Sequence, residues 1–282
     1  NLNQSNFYLN ISHYLNPKFK FNLALMIENY FSHNQYKKIS KLLKNFDQDD
    51  EFYFWFRIKK EAQIIIKEKD ENSGIEYITS KFNKIEKPNL KILFDVANFY
   101  KNSKNYDKAV EYYSQIILMI EENSEIKSDL FYRRGGSYER LNDFDKSDKD
   151  LLHSLEINPN DAYVLNYLAY SWLERDYKID EAMQMLKKAY SIQNDDPFII
   201  DSIGWAYYLI DDYLEAEKYL KRAVELMPDD PIVNDHYGDI LWKLNRKLQA
   251  RYFWNNVLGF DDADEDIKKK INVKLLKGLK NL

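Results

Sequence analysis

The sequence contains no cysteine. This excludes disulfide frameworks and thiolate metal sites, and it leaves both reducing and oxidising compartments open. Glycine and proline are scarce, with seven and six among 282 residues, which argues for helix and against disorder or a loop-rich β fold. No apolar run approaches the roughly 18 residues that a membrane-crossing helix needs. The longest, such as IILMI at 116–120, is the size of a core segment, so direct membrane insertion of this segment is not expected. Positive charge is not in excess either. A net charge of −5 and a pI near 5.6 remove the basic footprint from which generic nucleic-acid binding draws its affinity, so nucleic acid is not expected as a partner.

The chain does contain a repeat. PFIIDSIGWAYYLIDDYLEAEKYLKRAVELMPDD, from Pro197, is followed 34 residues later by PIVNDHYGDILWKLNRKLQARYFWNNVLGFDDAD, from Pro231. Self-similarity at this period predicts stacked helix pairs that bury a core only against their neighbours. Small residues mark the close approach of paired helices. On first helices they are Ala97, Gly135, Ala169, Gly204 and Gly238, at intervals of 38, 34, 35 and 34. On second helices Ala109, Ser147, Ala182, Ala216 and Ala250 follow at 38, 35, 34 and 34. Large residues lie three to four positions away on the same faces: Tyr100, Tyr138, Trp172, Tyr207 and Leu241 on first helices, and Tyr113, Leu151, Leu186, Leu220 and Trp254 on second helices. Pro159 and Pro228 end second helices. The 38-residue interval holds NSEIK at 123–127, read as an extra helical turn.

These series divide the chain into the second helix of a truncated upstream repeat at 1–17, two divergent repeats at 18–89, and five repeats at 90–127, 128–161, 162–196, 197–230 and 231–264. A capping helix follows at 265–282. In the divergent part, polar turns are expected at 32–35 and near 70–73. In the capping helix, Ile267, Ile271, Leu275 and Leu282 form one stripe with Leu276 and Leu279 beside it, while the lysines are assigned to the solvated face.

Catalytic and metal readings find no support. His13, His33, His153 and His236 are scattered over different repeats without a paired or HExxH spacing. DDADED at 261–266 has calcium-like alternation, but Ile267 and Val273 stand where a calcium loop needs glycine and glutamate. It reads instead as a helix start, where acids face unpaired backbone N–H groups. RRGG at 133–136 lies inside a first helix with Gly135 in the contact slot, and no GK[ST] follows it. Catalytic residues, metals and cofactors are therefore all assigned as none.

From Leu90 to about Asp264 the chain resembles the tetratricopeptide repeat: a small residue and an aromatic on the first helix, an alanine opening the second, and a proline after it. The stretch from Asn166 to Leu258 is similar more narrowly to long proteobacterial members, some of them exported or outer-membrane lipoprotein adaptors. The resemblance implies an all-α, right-handed superhelical solenoid of antiparallel helix pairs with a C-terminal capping helix. It also implies a periplasmic or outer-membrane-attached location, with the cytoplasm as the alternative.

In this family the first helices line a concave face. Here the aromatics offset from the core stripe are Tyr132, Tyr163, Tyr167, Tyr170, Phe198, Trp205, Tyr208 and Trp242, interspersed with Asn98, Arg133, Asn166, Asp201, Asp235, His236 and Asp239. Tyrosine and tryptophan give large contact area at small entropic cost, which suits a peptide groove. Members that clamp a free carboxyl terminus use lysine, asparagine and arginine; the corresponding places hold Phe94, Asn98, Arg133 and Tyr163, so the full clamp is absent. Asp201, Asp235 and Asp239 favour a neutral or basic segment instead. The expectation is a non-catalytic scaffold or adaptor that binds a protein or peptide in this groove. The alternative is a structural subunit that uses its repeats or terminal helices for oligomerisation or complex assembly, and the oligomeric state is left open.

Overall fold

The computed structural model describes residues 2–46, 50–121 and 124–279. Among them are sixteen α-helices and no strand. The chain forms two units, 1–118 and 119–282. The first holds α1 (Leu2–Leu15), α2 (Phe21–Phe31), α3 (Tyr36–Leu42), α4 (Glu51–Glu68), α5 (Glu71–Phe82), α6 (Leu90–Asn102) and α7 (Tyr106–Met119). The second holds α8 (Glu125–Arg140), α9 (Phe144–Ile157), α10 (Ala162–Glu174), α11 (Ile179–Ile192), α12 (Pro197–Leu209), α13 (Tyr213–Leu226), α14 (Pro231–Lys243), α15 (Lys247–Val257) and α16 (Glu265–Lys277).

Helix starts are fixed by aspartate. Asp161, Asp196 and Asp230 each accept two backbone N–H groups of the following turn, at 2.9–3.2 Å, satisfying donors that no carbonyl of the helix can reach. Pro197 and Pro231 occupy the first helical turn, where the missing N–H costs nothing. Within pairs, the turn is made by a residue with positive φ: Lys104, Asn142, Asp176, Asp211 and Asn245. They recur at the spacing of the small residues on the first helices. The connection from α4 to α5 has no such residue; it is only Lys69 and Asp70 long, and α5 starts at Glu71, slightly ahead of the turn expected from sequence. The extra turn inferred from the 38-residue interval appears at the start of α8, which runs 16 residues against 13 for α10, α12 and α14.

In the second unit consecutive helices pair, and first helices α10, α12 and α14 lie side by side. The small residues on first helices accommodate the large side chains of second helices. A Cβ on Gly204 would lie 2.8 Å from Leu220 Cγ, and one on Gly135 3.0 Å from Leu151 Cγ. Leu151, Leu186, Leu220 and Trp254 are completely buried, as are Ser147, Ala182, Ala216 and Ala250.

The terminal helix departs from its expected pattern. Ile267 and Ile271 are buried, but Leu276 is 80% exposed and Lys274, assigned from sequence to the solvated face, is 5% exposed. The stripe that faces the fold runs Ile267, Ile271, Lys274 and then Gly278, whose φ of +69° brings its backbone onto the Trp242 ring. Leu282 lies outside the described residues.

Two glycines on first helices should respond oppositely to alanine. At Gly238 the added Cβ would fall 2.3 Å from Trp254 Nε1, on a ring with no room to move. Gly238→Ala should cost roughly 1–3 kcal/mol despite the better helix propensity of alanine. At Gly136 the nearest atom is the Tyr167 hydroxyl oxygen at 3.3 Å, so Gly136→Ala should be neutral or stabilising by up to about 1 kcal/mol. Urea midpoints at unchanged m-value report both, and the reverse order would contradict the packing of this slot.

Candidate functional site

Helices α8, α10, α12 and α14 bound a cleft of about 880 Å³ in the second unit, closed at one end by α16. Its floor is a stack of three rings. Trp205 lies parallel to Tyr208 at 4.6 Å on one side and to the His236 imidazole at 4.1 Å on the other. Tyr170, tilted at 6.3 Å from His236, forms the adjoining wall.

Behind the rings is a buried ionic network. His236 Nδ1 donates to Asp201 Oδ2 at 2.8 Å, while no hydrogen bond reaches its Nε2 among the described residues and the ring lines the cleft. Lys274 Nζ donates to Asp235 at 2.5 Å and to both carboxylate oxygens of Asp239 at 2.7 and 2.8 Å. Asp239 also accepts the Trp254 indole N–H at 3.0 Å, so the network grips the last helix pair and α16 together. Burial alone would lower the pKa of His236, but the Asp201 carboxylate, with Asp235 and Asp239 behind it, raises it above the ordinary value. Burial and the neighbouring Asp235 push Asp239 up to about 6, against the pull of Lys274. Burial also raises the Tyr170 and Tyr208 hydroxyls, reinforced by nearby carboxylates, chiefly Glu174 for Tyr170 and Asp239 for Tyr208. Both phenols stay protonated donors.

The candidate residues from sequence fall into separate groups. Tyr163 and Phe198 are exposed, at 52% and 53%, and Tyr170, Trp205, Tyr208 and His236 meet in the cleft. Tyr132 and Tyr167 pack edge to face at 5.6 Å, and the Tyr167 hydroxyl donates to Glu139 at 3.1 Å. Asn166 Oδ1, Asp201 Oδ1 and Trp205 Nε1 are buried without a hydrogen-bond partner among the described residues. Four expectations change. Asp201, Asp235 and Asp239 are buried in internal ion pairs and are not free carboxylates of an open groove. His236 is likewise buried and committed to Asp201. Trp242 is packed between Trp254, at 5.3 Å, and Gly278, and serves the cap. Asn98 accepts from Tyr113 at 2.7 Å in the first unit, whereas Arg133, bonded to Asp129 at 2.8 Å, belongs to the second. Lys274 was missed. Its signal was its position, seven residues after Ile267 and three after Ile271, which places it on the apolar face.

Among the described residues no group of acids and histidines is placed to hold a metal ion, and no helix is long and apolar enough to cross a membrane.

The network fixes the sign of a pH dependence. His236 has a folded pKa above its ordinary 6.5, so its stabilisation is complete below that value and is lost as pH rises through the folded one. Asp239, at about 6 against an ordinary 3.8, binds its proton more tightly when folded, and its contribution likewise falls as pH rises through that interval. The thermal midpoint of the second unit, followed by tryptophan fluorescence, should drop by a few degrees between about pH 5 and about pH 8, with a shallower slope in Asp239→Asn. A midpoint that rises over this interval would contradict the assignment.

Comparison with known proteins agrees with this geometry. The tetratricopeptide-repeat family model matches residues 90–123, 128–161 and 201–230. A tetratricopeptide-repeat-containing protein of Pseudomonas aeruginosa is 35% identical over 89 residues, which cover 32% of this chain; the match spans about 15% of that relative's length. The crystal structure of a tetratricopeptide repeat protein from Parabacteroides merdae has a TM-score of 0.66 at 16% identity, covering 96% of this chain and 99% of its own. A thermophilic tetratricopeptide repeat protein of Thermus thermophilus has a TM-score of 0.56 at 16% identity, covering 67% of this chain and all of its own. At such identities the likeness to solved structures is one of fold. Proteins of this fold are generally non-catalytic scaffolds that bind proteins or peptides. By its helix pairs, its repeat period and these matches, the chain carries tetratricopeptide repeats at 90–123, 128–161 and 201–230.

Proposed function

We propose that the second unit binds an extended protein segment in the cleft between α8, α10, α12, α14 and α16, and performs no chemistry of its own. The observation that carries this reading is the Tyr208–Trp205–His236 stack, which forms the floor of a cleft bounded by four successive first helices. Rings held against one another lose little entropy when a ligand covers them. His236 Nε2 and the Tyr170 and Tyr208 hydroxyls supply polar contacts along the same path. Tyr163 and Phe198 extend the surface towards the starts of α10 and α12.

The segment that fits is close to neutral. Asp235 and Asp239 already hold Lys274, and the remaining acids of the wall, Glu174, Asp264 and Asp266, are matched in number by the lining residues Arg140, Lys243 and Lys270. The chain's own terminal helix thus takes the position that a basic ligand would have used.

A second reading, assembly through the opposite face, is favoured by Leu214 and Leu248, which are exposed on second helices α13 and α15 beside exposed Tyr252. Site-specific photocrosslinking separates the two. With benzoylphenylalanine placed at 163, 198, 214 and 248 in the native host, adducts should form from 163 and 198 and be absent from 214 and 248. Adducts from 214 and 248 alone, at the mass of two or more copies, would replace the groove reading with assembly.

A further inference from the structure

The first unit has a surface of opposite character. Two cavities, of about 240 and 430 Å³, flank Trp55 between the start of α4, the end of α5 and the start of α6. They share Glu51, Trp55 and Ile92. Apolar side chains line both, Phe52 and Phe56 in one and Phe54, Ile58 and Ile85 in the other, with charged groups beside them. Phe52 is 57% exposed at the rim.

The charges around them are unbalanced. Trp55 Nε1 and Lys59 Nζ both donate to Asp95 Oδ2, at 3.0 and 2.8 Å, and Lys91 Nζ stands 3.9 Å from the same oxygen. One carboxylate therefore serves two ammonium groups. Lys81 and Lys84, in the wall of the other cavity, have no carboxylate partner among the described residues; Lys81 lies over the Tyr77 ring at 5.3 Å. Among the described residues, Glu51 is the only acid lining either cavity. The imbalance extends across the unit: residues 1–118 carry 18 Lys and Arg against 14 Asp and Glu, whereas residues 119–282 carry 23 against 32.

We propose that this surface is a second docking site, for an acidic protein segment that places an apolar side chain on each side of Trp55. The lysines attract and orient the segment, and the cavities supply the contact that resists salt. Trp55 is buried beneath the walls, so no indole face is offered for a base to stack on, and the cavities fit aliphatic or aromatic side chains. The site lies wholly in the first unit and does not depend on the reading of the second.

The test uses the full chain and fluorescence anisotropy with three labelled probes: a glutamate-rich peptide carrying one leucine and one phenylalanine, the same peptide with lysine for glutamate, and a single-stranded oligothymidylate. The acidic peptide should bind tightest. The combined Lys84→Glu and Lys91→Glu variant should weaken it by about tenfold or more, with unchanged melting. Phe52→Ser should weaken it several-fold and should not alter its salt dependence. Tyr163→Ala, in the second unit, should leave it unchanged. Equal binding of the lysine peptide, tighter binding of the oligonucleotide, no binding of any probe, or indifference to the charge reversal would each overturn the proposal.

Discussion

The second unit depends on one steric constraint, the reception of a large side chain on each second helix by a small residue on the first helix of its pair. Gly135 faces Leu151, Gly204 faces Leu220 and Gly238 faces Trp254. With a Cβ in the last of these slots the helices could not approach to their present distance, and the indole would leave its place. That indole donates to Asp239, which holds Lys274 and with it α16. A packing rule repeated along the chain thus becomes, at the last pair, the support of the polar network behind the cleft. Packing and site are continuous there because the same helix carries both: Gly238 faces the partner helix while Asp235 and Asp239 face α16.

The network is better understood as a device for position than as a source of stability. Taking three carboxylates, an imidazole and an ammonium out of water is expensive, and well-packed apolar groups of the same volume would often do as well or better. The rise of Asp239 to about 6 reflects that cost, because burial and Asp235 together outweigh the attraction of Lys274. What the ions give is a defined geometry. His236 is held parallel to Trp205 by its bond to Asp201, and α16 is held in register by a single ammonium that reaches two acids one helical turn apart. An apolar replacement would leave both free to slide.

Much of this was legible in the sequence, because it is coded one residue at a time and repeated. The small and large positions, the capping aspartates and the polar turns recur in one register, and each has a local cause that needs no distant partner. The uses of Asp235, Asp239 and Trp242 were not legible in that way. Their partners, Lys274 and Gly278, lie 35 to 39 residues further on, in a helix whose lysines resemble one another in composition. Only the helical phase of Lys274 relative to Ile267 and Ile271 distinguishes it from its solvated neighbours. The pairing of Asn98 with Arg133 was likewise suggested by repeat position alone, although they belong to different units.

Repeats that touch only their neighbours allow properties to differ along a chain without a change of fold. Here the difference is one of charge and of what balances it. In the second unit the acids of the cleft are answered from within, by Lys274 and His236, which leaves an aromatic floor with little net field. Beside Trp55 in the first unit Asp95 alone answers Lys59 and Lys91, and positive charge is left over. Because Trp55 is fixed by Asp95 and the ring stack by the Asp201–His236 pair, each surface is complete with residues of its own unit.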